Sequence, residues 1–156
     1  STINRSKWGF FSINEYNKFY KIAYDLRNEK FSKLKLIGSG VIDFEYHFTA
    51  HTLYNFDDYK YDGVSSLLYV DRRGAPEKMQ FIFALSDKIA WLSTLISFSK
   101  KTANELHITE VNWPISGTAP YAPTSENECV SEELYTDYML RYHLLAFASQ
   151  QVNTLS

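Results

Sequence analysis

Helical and extended patterns take turns along this chain, and that alternation restricts the fold more than any single motif does. Ser12 and Glu15 stand at capping-box spacing ahead of Tyr16, Phe19, Tyr20, Ala23 and Tyr24, which recur on one helical face and predict a helix over 13–29. "KLKLIGSGVIDFEYH" reads as a strand at 34–37, an interruption at Gly38-Ser39-Gly40, and a second extended piece at 41–46. "FTAHTLYNF" fits a short helix, "DDYKYDG" an acidic turn, and "VSSLLYV" at 64–70 a second main strand. From 79 to 102, Ile82, Leu85, Ile89, Leu92 and Ile96 recur every three or four residues, which predicts a second long helix. "LHITEV" at 106–111 is the third strand. A long loop with three prolines follows, and then a helix from a Ser131 cap, with Leu134, Tyr138, Tyr142 and Leu145 as its buried stripe.

Strands separated by helices pair in parallel, because a helical crossover returns the chain to the same end of the sheet. The expected class is therefore α/β, either an open sheet or part of a barrel. The 156 residues suit a single domain spanning 1–156, and 45% hydrophobic residues suffice for a core. Three parallel strands alone leave two long unpaired edges, so something beyond these three strands is expected to cover them.

Composition removes several function classes. Eighteen acidic and 16 basic residues are mixed along the chain, leaving no basic face for nucleic acid or anionic lipid. The single cysteine, Cys129, excludes an internal disulfide framework and a multi-cysteine metal site. The first residues, "STINRSKWG", lack an apolar signal core, and no run reaches the roughly 18 apolar residues of a membrane span. A soluble, cytoplasmic chain is the expectation. The unusual quantity is 17% aromatic residues, which suit either a core or a wet, concave binding site.

In parallel α/β structures the working side chains gather at the C-terminal ends of the strands, where the loops converge. All three ends are polar here. The first carries Glu45 and His47 in "DFEYH", the second Asp71 and Arg72 in "DRRG", and the third Glu110 followed by Asn112 and Trp113. The "GSG" at 38–40 opens neither a dinucleotide-binding motif nor a P-loop, and no G-x-S-x-G elbow is present. His47 and His51 are four apart but lie outside an HExxH pattern, so no metal or other cofactor is expected. Glycoside hydrolysis needs carboxylates flanking the bond, with rings and polar groups to hold the sugar, and these strand ends supply such materials.

"LHITEVNWP" resembles the seventh-strand motif of retaining glycoside hydrolases built on a (β/α)8 barrel, and an uncharacterised bacterial branch of that clan is the nearest in pattern. The resemblance implies that Glu110 is the catalytic nucleophile, and that the chain is about half of a TIM barrel, with strands 5–7 and their flanking helices. It further implies an oligo- or polysaccharide ligand. Trp113 and Trp8 become stacking candidates, while Asn112, Asp71, Arg72, Glu45 and His47 become sugar contacts. The clan's acid/base, a Glu in an Asn-Glu pair ending strand four, has no counterpart: the pairs at 14–15, 28–29, 104–105 and 127–128 follow no apolar strand. "VNTLS" reads as stopping where strand eight should begin. The expectation is an inactive fragment whose open edges pair with a second copy or stay partly covered by a refolded terminus. The alternative is a non-catalytic sugar-binding or surface-polysaccharide assembly module on the same barrel.

Overall fold

The computed structural model of the chain describes residues 12–42, 46–54, 60–70, 74–99, 104–117 and 126–156. In chain order these form α1 (Ile13–Lys30), β1 (Ile37–Ile42), α2 (Tyr46–Tyr54), β2 (Gly63–Leu67), α3 (Leu85–Phe98), β3 (Leu106–Glu110), α4 (Glu132–Ala148) and β4 (Thr154–Leu155). The sheet is wholly parallel, with the strands side by side in the order β1-β2-β3-β4. α1 packs on α2, α2 on α3, and α3 on α4. Strands in chain order with helices in a matching row place the helices in one layer, because right-handed crossovers of a sheet that never reverses all return on the same face.

The capping box is in place: Ser12 N donates to Glu15 Oε2 at 2.8 Å, and Glu15 N to Ser12 Oγ at 3.3 Å. Ser131 likewise accepts from Leu134 N at 3.2 Å. The core lies between sheet and helices, where Val64, Leu68, Leu106 and Ile108 meet Leu53, Ile89, Leu92 and Ile96, all buried. Alternation along β2 assigns the faces, since Val64 and Ser66 are fully buried while Ser65 and Leu67 are only half-buried. On α1 and α4, two residues expected inside are outside instead: Phe19 is 56% exposed and Leu134 44%. Tyr20 and Tyr142 carry the packing of those two helices.

Several boundaries differ from the sequence reading for definable reasons. The first strand does not stop at Ile37 but runs through the glycines to Ile42. A Cβ on Gly38 would lie 1.8 Å from Tyr61 Cε1 and 2.9 Å from Tyr20 Cε2, so this strand position takes glycine because two tyrosine rings rest on it. Gly40 has φ +40°, and the register slips between Gly38 and Val41, which marks a bulge rather than an interruption. The second long helix begins only at Leu85, because Gln80 and Phe83 pair across a tight turn ahead of it. Ile82, expected on its buried face, is 71% exposed in that turn. The long loop after β3 is closed at its ends, where Val130 N donates to Pro114 O at 2.8 Å and Ser116 N to Val130 O at 2.9 Å.

The largest correction concerns the last residues. Thr154 and Leu155 form a fourth strand, in register with His107 and Ile108, where the sequence reading had the chain stop short of one. Asn153 prepares the junction, since its Oδ1 accepts from Leu106 N while its own N–H donates to Leu106 O, both at 2.8 Å. The edge of β3 is thereby covered, and the outermost of the described strands are β1 and β4. None of the described helices is long and apolar enough to cross a membrane.

Candidate functional site

Glu110 closes β3, and its placement depends on one irregularity. Along β3 the residues Leu106 and Ile108 face the helices and are buried, so unbroken alternation would turn Glu110 into that same core. The register prevents it. Ile108 pairs with Ser66, but the next pairing is Glu110 with Leu67, which leaves Thr109 as an extra residue on β3. Directly paired residues point to the same side of a parallel sheet, so Glu110 shares the side of Leu67 and Ser65, away from the helices. Thr109 and Glu110 are both exposed, as a bulge requires. Among the described residues, none hydrogen-bonds or ion-pairs with the Glu110 side chain.

Beyond the bulge the alternation resumes in the opposite phase. Val111 and Trp113 are buried, whereas Asn112 is exposed like Glu110. A carboxylate and a carboxamide thus stand two residues apart on the exposed side of the segment. The carboxamide is oriented, because Asn112 Oδ1 accepts the backbone N–H of Trp113 at 2.9 Å, which leaves its Nδ2 donors for another partner.

The stacking role expected of Trp113 conflicts with its position. The indole is 1% exposed, its Nε1–H donates to Gly74 O at 3.0 Å, and its ring meets Tyr142 edge-on and Tyr138 at a tilt, with centroids 6.1 and 5.6 Å away. An enclosed ring offers no face to a sugar, so Trp113 is a core group that ties the loop after β3 to the chain after β2. His47 is exposed in the first turn of α2, on the C-terminal side of β1. Trp8, Glu45, Asp71 and Arg72 lie outside the described residues.

The chain on either side of the β2 end is firmly held. Tyr142 Oη donates to Leu68 O at 2.6 Å, and the buried Lys88 Nζ donates to Tyr69 O at 2.8 Å and Gln80 Oε1 at 2.6 Å. Beyond Gly74, Arg141 grips Glu77 with two nitrogens and Asp137 with a third at 2.8 Å. Those carboxylates, Glu77 first, push the guanidinium pKa up and keep it charged. Rigid support behind a strand end is what a site needs to hold side chains within tenths of an ångström.

The four Asn-Glu pairs stand elsewhere. Glu15 serves its helix cap, Glu29 lies in the last turn of α1, and Glu128 belongs to the 3-10 turn Glu126–Glu128. Glu105 precedes β3, at the opposite end of that strand from Glu110, where Lys35 Nζ donates to it at 2.7 Å. That ammonium, aided by His107, holds the Glu105 carboxyl below the ordinary carboxylate value. Among the described residues no group of three His, Cys, Asp or Glu side chains could hold a metal ion.

Sequence reasoning placed Glu110 at the end of its strand with Asn112 just beyond it, but missed the bulge and the anchoring indole. The signal for the bulge is local: two polar residues, Thr109 and Glu110, end a strand whose apolar residues otherwise alternate. Comparison with known proteins gives no assignment, since no family model matches the chain and no curated protein is significantly similar to it.

Proposed function

We propose that this chain is part of a carbohydrate-active (β/α)8 protein in which Glu110 acts as the nucleophile of glycosidic bond cleavage. The supporting observation is the register at Thr109, which turns an exposed carboxylate to the side of the sheet away from the described helices, at the C-terminal end of a parallel strand. Strands in chain order behind a single layer of helices also suit half of such a barrel, whose lumen is the face the helices leave free. The ligand is an oligo- or polysaccharide. Further parallel strands, from a second copy or another part of the barrel, complete the edges at β1 and β4.

In the reaction, a Glu110 carboxylate oxygen forms a bond to the anomeric carbon as the bond to the leaving oxygen breaks, and its electron pair departs with the leaving group. A retaining enzyme then needs a second carboxyl group about 5 to 5.5 Å away, to protonate that oxygen and later to activate water. No Asn-Glu pair of the described residues ends a strand, and this favours a second reading: a sugar-binding or polysaccharide-assembly module on the same barrel, without turnover.

Aryl glycosides with strongly acidic leaving groups separate the two, because such a leaving group departs without a proton donor. The enzyme reading predicts release of the phenolate by the chain and its loss in Glu110→Gln. Equal release by both proteins rejects the nucleophile. Saturable oligosaccharide binding without release supports the binding module.

A further inference from the structure

We propose that Trp113 is a positioning residue for the Glu110–Asn112 pair, and that Asn112 meets the ligand as a hydrogen-bond donor. Three contacts carry the first part. The indole Nε1–H holds Gly74 O at 3.0 Å, the ring is seated against Tyr138 and Tyr142 of α4, and the backbone N–H holds Asn112 Oδ1 at 2.9 Å. Trp113 is therefore fixed to the chain after β2 and to a helix, and through its own N–H it fixes the carboxamide next to it.

The segment needs such an anchor, because the bulge at Thr109 interrupts the ladder where Glu110 emerges. No strand pairing involves 111–114, and the next bridge joins Ile115 to Val130. Val111 and Trp113 are the buried residues of that span, and Trp113 is much the larger. Its burial sets the phase that leaves Glu110 and Asn112 outward together.

The second part follows from hydrogen-bond capacity. With Oδ1 engaged by the Trp113 N–H, the carboxamide has its two Nδ2 hydrogens to offer. Beside a carboxylate, which only accepts, this gives the exposed pair one acceptor and one donor. The donor suits a hydroxyl or ether oxygen of the same sugar unit that Glu110 attacks. The assignment rests on the nucleophile reading of Glu110 and extends it.

The test uses an activated 2-deoxy-2-fluoro aryl glycoside, which forms the ester with Glu110 and reacts onward slowly, so that the protein gains mass as phenolate is released. Trp113→Phe keeps a ring and removes the indole N–H. It is expected to slow ester formation about tenfold or more, because small misplacements of a reacting group are costly. Ile89→Val, a core change away from the strand end, controls for lost stability and should react within about twofold of wild type. Asn112→Asp retains an acceptor for the Trp113 N–H but cannot donate, and should weaken saturation by the glycoside about tenfold, since a lost hydrogen bond typically has that scale. Equal rates for Trp113→Phe and Ile89→Val overturn the positioning role, and wild-type saturation of Asn112→Asp overturns the donor role. Amide hydrogen exchange over 110–116 gives a second reading without any sugar. Trp113→Phe should exchange faster there than Ile89→Val, and equal exchange rejects the anchor. Faster exchange in Trp113→Phe, together with a wild type that never forms the ester, upholds the anchor and rejects the nucleophile.

Discussion

The two ends of the sheet are built differently. At the N-terminal end, charges are paired across strands: Lys35 before β1 reaches Glu105 before β3 at 2.7 Å, Glu105 meets His107 Nε2 at 3.1 Å, and Asp62 before β2 accepts from Leu36 N at 2.6 Å. The His107 ring lies so close over Gly63 that a Cβ there would stand 2.6 Å from Nε2. At the C-terminal end the ladder is broken by the bulge in β3, and the Glu110 side chain emerges without a described partner. In a parallel α/β fold, paired charge at the N-terminal end belongs to stability, whereas an outward carboxylate delivered by a bulge at the other end costs strand regularity and contributes no pairing in return.

That contrast can be broken by substitutions with graded effects. The largest stability loss is expected for Gly38→Ala, since its methyl collides with the Tyr61 and Tyr20 rings that close the sheet against α1; urea denaturation should show a loss of about 3 kcal/mol. Tyr142→Phe removes the hydroxyl that donates to Leu68 O behind the β2 end, and a loss of about 1.5 kcal/mol is expected in the same measurement.

Glu105→Gln should cost about 1 kcal/mol or less at neutral pH, because its lysine partner is largely exposed and water screens the pair. The folded carboxyl is held below its ordinary value of 4.5, so the stability it contributes is complete above the unfolded value and disappears as pH falls through the folded one. The gap between wild type and Glu105→Gln should accordingly close on acidification. A gap that widened in acid would show that Lys35 is not what stabilises the carboxylate.

The smallest stability effect is assigned to Glu110→Gln, within about 0.5 kcal/mol of wild type or slightly stabilising, as expected where a residue serves a site rather than the fold. A loss as large as that of Glu105→Gln would make the two ends equivalent and remove the contrast.

Much of this architecture was legible in the chain. The capping box at Ser12 and Glu15, the period of Leu85, Ile89, Leu92 and Ile96, and the extended run at 106–110 specify elements locally, and they led to a parallel α/β sheet. Interactions distant in sequence were not legible. Gly38 looked like an interruption because the tyrosine that occupies its Cβ space, Tyr61, comes 23 positions later. The fourth strand is two residues long and owes its place to Asn153 bonding with Leu106, so no pattern of its own announced it. Trp113 was mistaken for a platform because tryptophan beside a strand-end carboxylate suits both an open ring and a buried anchor, and the Gly74 carbonyl that decides between them lies 39 residues earlier. The strand end at Glu110 was legible because a strand end is a local feature. Its outward direction follows from the pairing with Leu67, which a single strand does not disclose.

The most direct test of the difference between the two ends is the location of the ester formed by an activated 2-deoxy-2-fluoro aryl glycoside, mapped by mass spectrometry of proteolytic peptides across a panel of sugars. The account predicts an adduct on the peptide containing Glu110, present in wild type and Glu105→Gln and absent in Glu110→Gln. An adduct that persists in Glu110→Gln, or that maps to another carboxylate, would contradict it.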